Sequence, residues 1–312
     1  SGGLGSFSPD NTNLNATYTP TQGEVDAGSI TLTLTTTGNG NCSPVNDTVT
    51  IDFSPAPTAD AGSNQSLCEN NAEVSLNGAV TIASGGTWSG GAGTFNPDAN
   101  TLNATYETTA GEIASGSLTL TLTTTGNGDC NAVSDDVLIN FTDAPTVDAG
   151  PDQTTCANNA SVSISATVIG ASGVTWSGGN GTFDPDANSV NVIYFPSAAE
   201  IAAGTVTLTA TTTGNGNCLP VTDQMTITIT PAVEAEAGAD QTLCANNADI
   251  ALDGSVVIAT GGVWSGGLGT FTPDANDLNA TYTPTAGEIA SGNLTLTLTT
   301  TGNGLCNAAS DT

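Results

Sequence analysis

Between Ser117 and Thr125 the chain alternates strictly, setting Leu118, Leu120 and Leu122 against Thr119, Thr121 and Thr123. Period-two alternation sends successive side chains to opposite faces of a strand, so the leucines are expected in a core and the threonines in water. Glu73–Val80 and Asp136–Thr142 alternate in the same way. Shorter runs at 86–89 and 102–106 lie between them, and Gly, Asn, Asp and Pro punctuate the whole. These are strand and turn signals at sandwich spacing, and they predict six or seven strands per unit in two packed sheets.

The pattern recurs. Trp88, Trp176 and Trp264 are 88 residues apart, and so are Tyr18, Tyr106, Tyr194 and Tyr282, Phe7, Phe95, Phe183 and Phe271, and two series of cysteines. A fixed long period means one structural unit copied in tandem. The expected fold is therefore all-β, an array of immunoglobulin-like sandwiches with a period of 88 residues. Its parts are a truncated repeat over 1–55, two repeats over 56–143 and 144–231, and a repeat over 232–312 without its last strand. The chain starts in mid-unit, Ser1–Phe7 aligning with Ser89–Phe95, and reads as a window on a longer repetitive protein. No run is apolar for long enough to cross a bilayer, so no membrane insertion is expected in this segment.

One helical turn per unit interrupts the strands. Thr21 with Glu24, Thr109 with Glu112, Ser197 with Glu200 and Thr285 with Glu288 match the capping box, and Gly28, Gly116, Gly204 and Gly292 stand where the turn should end. The recurrent Glu thus has a structural reason to exist. Each Trp reads as the central core residue and each Tyr as a core ring with its hydroxyl tied to backbone. The Gly-rich stretch Ser89–Phe95 lacks the Lys and the helix pattern of a phosphate loop and predicts a tight hairpin between strands. Prolines in the linkers, at Pro55, Pro57, Pro145 and Pro231, argue for stiff junctions.

Charge then removes whole classes of function. Thirty Asp and Glu face no Lys, Arg or His, a formal net charge of −30. Nucleic acid and anionic membranes are repelled, and phosphate cofactors lose their usual clamps. Without His or Lys, nothing is present to activate a Ser or Cys nucleophile, so no enzyme activity is expected. Counterions must come from outside, and calcium suits oxygen ligands. The acidic segments after the linkers supply the candidate ligands Asp60, Asp148, Asp152, Glu236 and Asp240. The same residues are also ordinary turn formers.

Seven cysteines at alternating intervals of 26 and 62 allow two regular pairings. Pairing by 62 joins Cys68 to Cys130, Cys156 to Cys218 and Cys244 to Cys306, each inside one unit, and leaves Cys42 over. Pairing by 26 staples neighbouring units. Cys68 reads as lying near the start of the first strand and so shares a pole with the loop that holds Cys130, whereas Cys42 is a whole strand away from the junction, and the pairing by 62 is expected. Either pairing places the chain in an oxidising, extracytoplasmic compartment.

Val147-Asp-Ala-Gly-Pro-Asp-Gln-Thr-Thr-Cys156, followed by an alternating strand, a mid-unit Trp, Asn217-Cys218 and the closing strand Met225–Thr230, resembles the PKD-like and related immunoglobulin-like repeats of very large Bacteroidetes surface proteins. That resemblance implies a cell-surface, gliding-motility type adhesin exported by the type IX route, with a stalk or filament role and calcium dependence. The function expected is a semi-rigid extracellular rod whose partners are neighbouring repeats, other copies in a filament and a surface or glycan target at a distal tip. The alternative is a repeated glycan- or partner-binding module acting through exposed loops.

Overall fold

The computed structural model describes residues 1–312 and divides into two units, Ser1–Thr142 and Asp143–Thr312. Both are all-β, with one short helix per repeat.

In the second unit, residues 144–231 show the architecture in full. A four-stranded sheet runs in the order Gln153–Cys156, Thr222–Thr230, Thr205–Thr213, Gly173–Ser177. Facing it is a three-stranded sheet of Val162–Ser165, Asn191–Phe195 and Thr182–Asp184, and a two-stranded ladder joins Thr146–Asp148 to Thr167–Ile169. The first unit builds its Thr58–Thr142 stretch in the same way. Its four-stranded sheet is Gln65–Cys68, Ser134–Thr142, Ser117–Thr125 and Gly85–Ser89, and its three-stranded sheet is Thr94–Asn96, Thr105–Glu107 and Val74–Ser75. The fold is an immunoglobulin-like sandwich.

The strands number nine per full repeat rather than six or seven, because turn residues cut single apolar runs in two. Asn77-Gly78 divides Val74–Ser75 from Ala79–Thr81, and Gly62, at φ 86°, divides Thr58–Asp60 from Gln65–Cys68. That second break lets the chain change partners. Thr58–Asp60 pairs with Ala79–Thr81, and Gln65–Cys68 then runs parallel to the last strand.

The core lies between the sheets. Leu118, Leu120 and Leu122 are buried as their alternation requires, and they surround Trp88, which is 2% exposed, together with Tyr106, Val137 and Ile139. Burying a side chain of this size contributes roughly 1.5–3 kcal/mol. In the second unit Trp176, Leu208, Met225 and Ile227 take the same places. The indole N–H groups of Trp88 and Trp264 donate to the carbonyls of Leu102 and Leu278 at 3.1 Å, so these rings are fixed by a polar contact as well as by packing.

The Gly-rich stretch is not a hairpin. Gly85–Ser89 belongs to the four-stranded sheet and Thr94–Asn96 to the three-stranded one, so Gly90–Gly93 carries the chain across the core edge from one sheet to the other.

Candidate functional site

Two constellations stand out, one that recurs inside each repeat and one at the Pro231 linker. The first grows from the helical turn. Thr109 caps Ala110–Ala114, and Glu112 Oε2 reaches back to the Thr109 N–H at 2.7 Å and hydroxyl at 2.8 Å, completing the capping box. The other carboxylate oxygen accepts the Tyr106 hydroxyl at 2.7 Å and the Ala92 N–H at 2.7 Å, and the Gly93 N–H donates to the Tyr106 hydroxyl oxygen at 2.6 Å. Turn, ring and Gly-rich crossover are thereby tied to one carboxylate. The expectation of a Tyr hydroxyl tied to backbone holds, but its own proton goes to the Glu.

The geometry explains the glycines. A Cβ at Gly91, where φ is 71°, would sit 2.0 Å from the Tyr106 hydroxyl, and one at Gly93 would sit 2.0 Å from the Glu107 carbonyl oxygen. The arrangement repeats around Glu24 with Tyr18, Glu200 with Tyr194, and Glu288 with Tyr282.

Electrostatics follow from the donors. Burial pushes the Glu112 carboxyl up, but the Thr109, Ala92 and Tyr106 donors outweigh it and hold the group at about 2. Glu24 is held at about 2 for the same reasons, Glu200 is lowered, and Glu288 is brought to about 2 foremost by the Thr285 N–H. The partner phenols move the other way. Burial, and then donation to the carboxylate, pushes Tyr106 and Tyr194 up to about 12. A carboxylate this well satisfied is a fastener, with no proton to give at neutral pH.

The second constellation overturns the expected sulfur pairing. Cys156 bonds Cys306, 150 residues away, with Cα atoms 5.0 Å apart, so the bridge spans adjoining repeats. Cys68 and Cys218 are disulfide-bonded as well, whereas Cys42, Cys130 and Cys244 are free. The pairs Cys68–Cys130, Cys156–Cys218 and Cys244–Cys306 do not form. The error lies in where the first strand begins. Cys68 ends the strand Gln65–Cys68, which runs parallel to the last strand and places Cys68 beside Thr142. Cys130 precedes Ser134, at the other end of that nine-residue strand, roughly 25 Å away.

By the same topology Cys156 lies beside Thr230, one residue before the linker at Pro231. The loop before the last strand of the next repeat meets it there. Both bridge sulfurs lie 3.6 Å from the Pro231 carbonyl oxygen. Next to the bridge, Asn158 and Asn307 interlock. The Asn158 side-chain amide donates to the Asn307 carbonyl at 2.9 Å. In return the Asn307 N–H donates to Asn158 Oδ1 at 3.0 Å and its side-chain amide to the Asn158 carbonyl at 3.2 Å. Closing a loop of this length stabilises by roughly 5 kcal/mol in the chain-entropy model. In the first unit the free Cys130 thiol sits 3.7 Å from the Pro55 carbonyl oxygen, the same placement against a linker that Cys306 has.

The acidic segments do not gather into a metal centre. No group of three or more Cys, Asp or Glu is placed to hold an ion. Asp60 and Asp148 instead accept the N–H groups of Gly62 and Gly150 at 2.9 and 2.8 Å, closing the turns where the first strand changes sheet. Asp152 accepts the Thr226 N–H at 2.7 Å. Glu236 lies in the strand Glu234–Glu236, and Asp240 follows it in an exposed loop. Of the two readings open for these residues, turn former describes Asp60 and Asp148, whereas Asp152 ties its segment to the last strand at Thr226. A role the sequence did not reveal belongs to Asp135, Asp223 and Asp311. Each accepts, at 2.8 Å, the N–H of an Ala just after the first short strand, at Ala61, Ala149 and Ala237.

A cavity of about 280 Å³ holds the exposed Cys244 and Glu288, but both oxygens of Glu288 are committed to Tyr282, Thr285 and Leu268. The thiol has no base.

No protein-family model and no curated protein matches the chain. Among solved structures it is similar to the EC22-24 segment of mouse cadherin-23, at 14% identity over 82% of this chain and 97% of that one, with a TM-score of 0.38. It is also similar to the I67-I69 fragment of the titin I-band, at 9% identity over 82% and 96%, with a TM-score of 0.39. Extracellular cadherin domains 1-4 of protocadherin gamma B7 match at 13% identity over 100% and 90%, again with a TM-score of 0.39. At these scores the likeness carries no assignment of function.

Proposed function

We propose that the chain is a structural segment of a large extracellular bacterial surface adhesin, a semi-rigid stalk or filament of PKD-like sandwich repeats that presents a distal adhesive region. The observation that carries this reading is the junction at Pro231, where a disulfide and a reciprocal Asn pair join one repeat to the next. A linker that only had to pass the chain along would need neither. Fastening consecutive sandwiches on both sides of a proline restricts their relative bending, which is what a spacer under tension requires.

The chemistry supports the same reading. Carboxylates are either spent on backbone donors or dispersed over the surface, and the chain has no cationic or imidazole group. The cysteines that pair call for an oxidising compartment. Calcium acts here as a diffuse counterion to the acidic surface, since the five candidate ligands form no cage. The second reading, a glycan-binding module, has a single exposed ring to offer, Phe195 at 43% exposed, because Trp88, Trp176 and Trp264 are buried and Tyr106, Tyr194 and Tyr282 are fully covered.

Negative-stain imaging of the oxidised chain, alone and after reduction, tests the stalk. Straight threads that become bent on reduction are the expected result. Globular particles in both states, or specific capture on a glycan panel, would move the assignment to the binding module.

A further inference from the structure

We infer that the Cys156–Cys306 bridge is an extension stop, fixing how far the two repeats it joins can be drawn out under tension. The inference holds for any tensile role and does not depend on the adhesin assignment. It starts from the order of elements along the line of pull. Tension enters repeat 144–231 through its first strands, and Gln153–Cys156 lies parallel to Thr222–Thr230 in a register of four pairs, Gln153 with Ile227 through to Cys156 with Thr230. Without a bridge this pair would be pulled from opposite ends and loaded in shear; with it, the pull leaves Gln153–Cys156 at Cys156 through the sulfur bond, and the ladder with Thr222–Thr230 does not carry it.

Beyond that ladder the covalent path divides. One branch runs through residues 157–305, which contain the Trp176 and Trp264 cores, the helical turns at Ala198–Ala203 and Ala286–Ser291, and the Pro231 linker. The other is the disulfide itself, which replaces a sequence separation of 150 by a single bond. The short branch takes the load. Sandwich ladders inside the loop then feel no pull, and the Pro231 linker is bypassed. Asn158 and Asn307 add reciprocal hydrogen bonds at the same place and hold the loop against the bridge before load arrives. The sequence places these cysteines in different repeats, so the device acts on a pair of repeats and leaves each sandwich without a bridge of its own within the pair.

Single-molecule stretching of the full chain, held by non-cysteine handles at Thr146 and Asp311, reads this directly. With the bridge intact, only the ten residues from Thr146 to Cys156 and the five from Cys306 to Asp311 can be paid out, roughly 50 Å in all. The double variant Cys156→Ser, Cys306→Ser is expected to release about 500 Å more, the contour of the 150 bypassed residues. Should that variant fail to fold, adding a phosphine reductant to the wild-type chain already held at force gives the same reading, with the extra length appearing after reductant arrives. Equal total lengths for the oxidised and unbridged chains would overturn the inference, and so would an oxidised chain that already yields several hundred ångströms.

Discussion

Tyr194 donates its phenolic hydrogen to Glu200 Oε1 at 2.8 Å, in a buried site that no cation shares. The carboxylate is satisfied by the Ser197 N–H and hydroxyl and the Asn180 N–H as well, so its charge is spread over hydrogen bonds from three segments of chain. Such a group is costly to remove, because each donor is left buried without an acceptor.

The equivalent Glu112→Ala change is therefore expected to destabilise repeat 56–143 by about 2–4 kcal/mol, combining a lost helix cap with stranded donors. Glu112→Gln keeps the shape and part of the hydrogen bonding and should cost less. Urea unfolding followed by the fluorescence of Trp88, with Trp176 and Trp264 replaced by Phe in the background, checks this. An unchanged midpoint in the Ala variant would remove the fastener role.

Acid and alkali should act on the same contact from opposite sides. Glu112 is lowered from 4.5 to about 2 by its donors, so its contribution is full above about pH 4.5 and is lost as pH falls from there to about 2. Tyr106 and Tyr194 are raised from 10.0 to about 12, so their contribution is full below about pH 10 and is lost between 10 and 12. Ultraviolet titration of the folded chain should show no phenolate from these rings at pH 10.5. Phenolate absorbance there with the fold intact would contradict the buried Tyr–Glu contact.

Glycine at the crossover is demanded twice, by a positive φ and by contact. Gly91→Ala would drive a methyl group into the Tyr106 hydroxyl at 2.0 Å, so the ring must leave its carboxylate or the crossover must move. Destabilisation of about 2 kcal/mol or more is expected, whereas Gly111→Ala, at a helix position whose nearest neighbour is 4.0 Å away, should be neutral or stabilising by up to about 1 kcal/mol. Thermal melts of the two variants side by side give the comparison.

Much of the fold could be read from the chain because its causes are local. Alternation at Ser117–Thr125 sets which side chains are buried, and the T/S-x-x-E spacing sets the cap at Thr109 and Glu112. The features that local pattern does not reveal depend on partners far apart in sequence. The alternation around Leu67 does not say that Gln65–Cys68 lies parallel to the last strand, and that single fact moves Cys68 to the opposite pole and changes which sulfurs can meet. Glu112 was legible as a cap but not as the acceptor for Tyr106 and Ala92, since those contacts form only once the crossover is wrapped around the ring. Asp60 and Asp148 show the limit of reading acids by clustering alone, because their carboxylates serve the Gly62 and Gly150 N–H groups two residues on.

Sulfur chemistry offers a direct check on that correction. Alkylation of the folded, unreduced chain should modify Cys42, Cys130 and Cys244 and no other cysteine. Trypsin has no site to cut, so mapping must rely on cleavage at acidic or aromatic residues. A disulfide-linked peptide pair carrying Cys156 and Cys306 is expected, and recovery of Cys244 joined to Cys306 would restore the pairing within repeats.

Salt should stabilise the chain without regard to which cation supplies it. Thirty carboxylates and no basic side chain repel one another in the folded state, and screening shortens that repulsion to about 10 Å at 0.1 M ionic strength. Melting temperature is therefore expected to rise by several degrees between about 0.01 M and 0.1 M. Because Asp60, Asp148 and Asp152 already hold backbone N–H groups and no acidic cluster forms a cage, calcium and sodium chloride at matched ionic strength should give nearly the same shift. A saturable calcium increment that chelator reverses, and that Asp148→Asn together with Asp152→Asn abolishes, would instead establish a bound ion and return the acidic segments to the role of ligands.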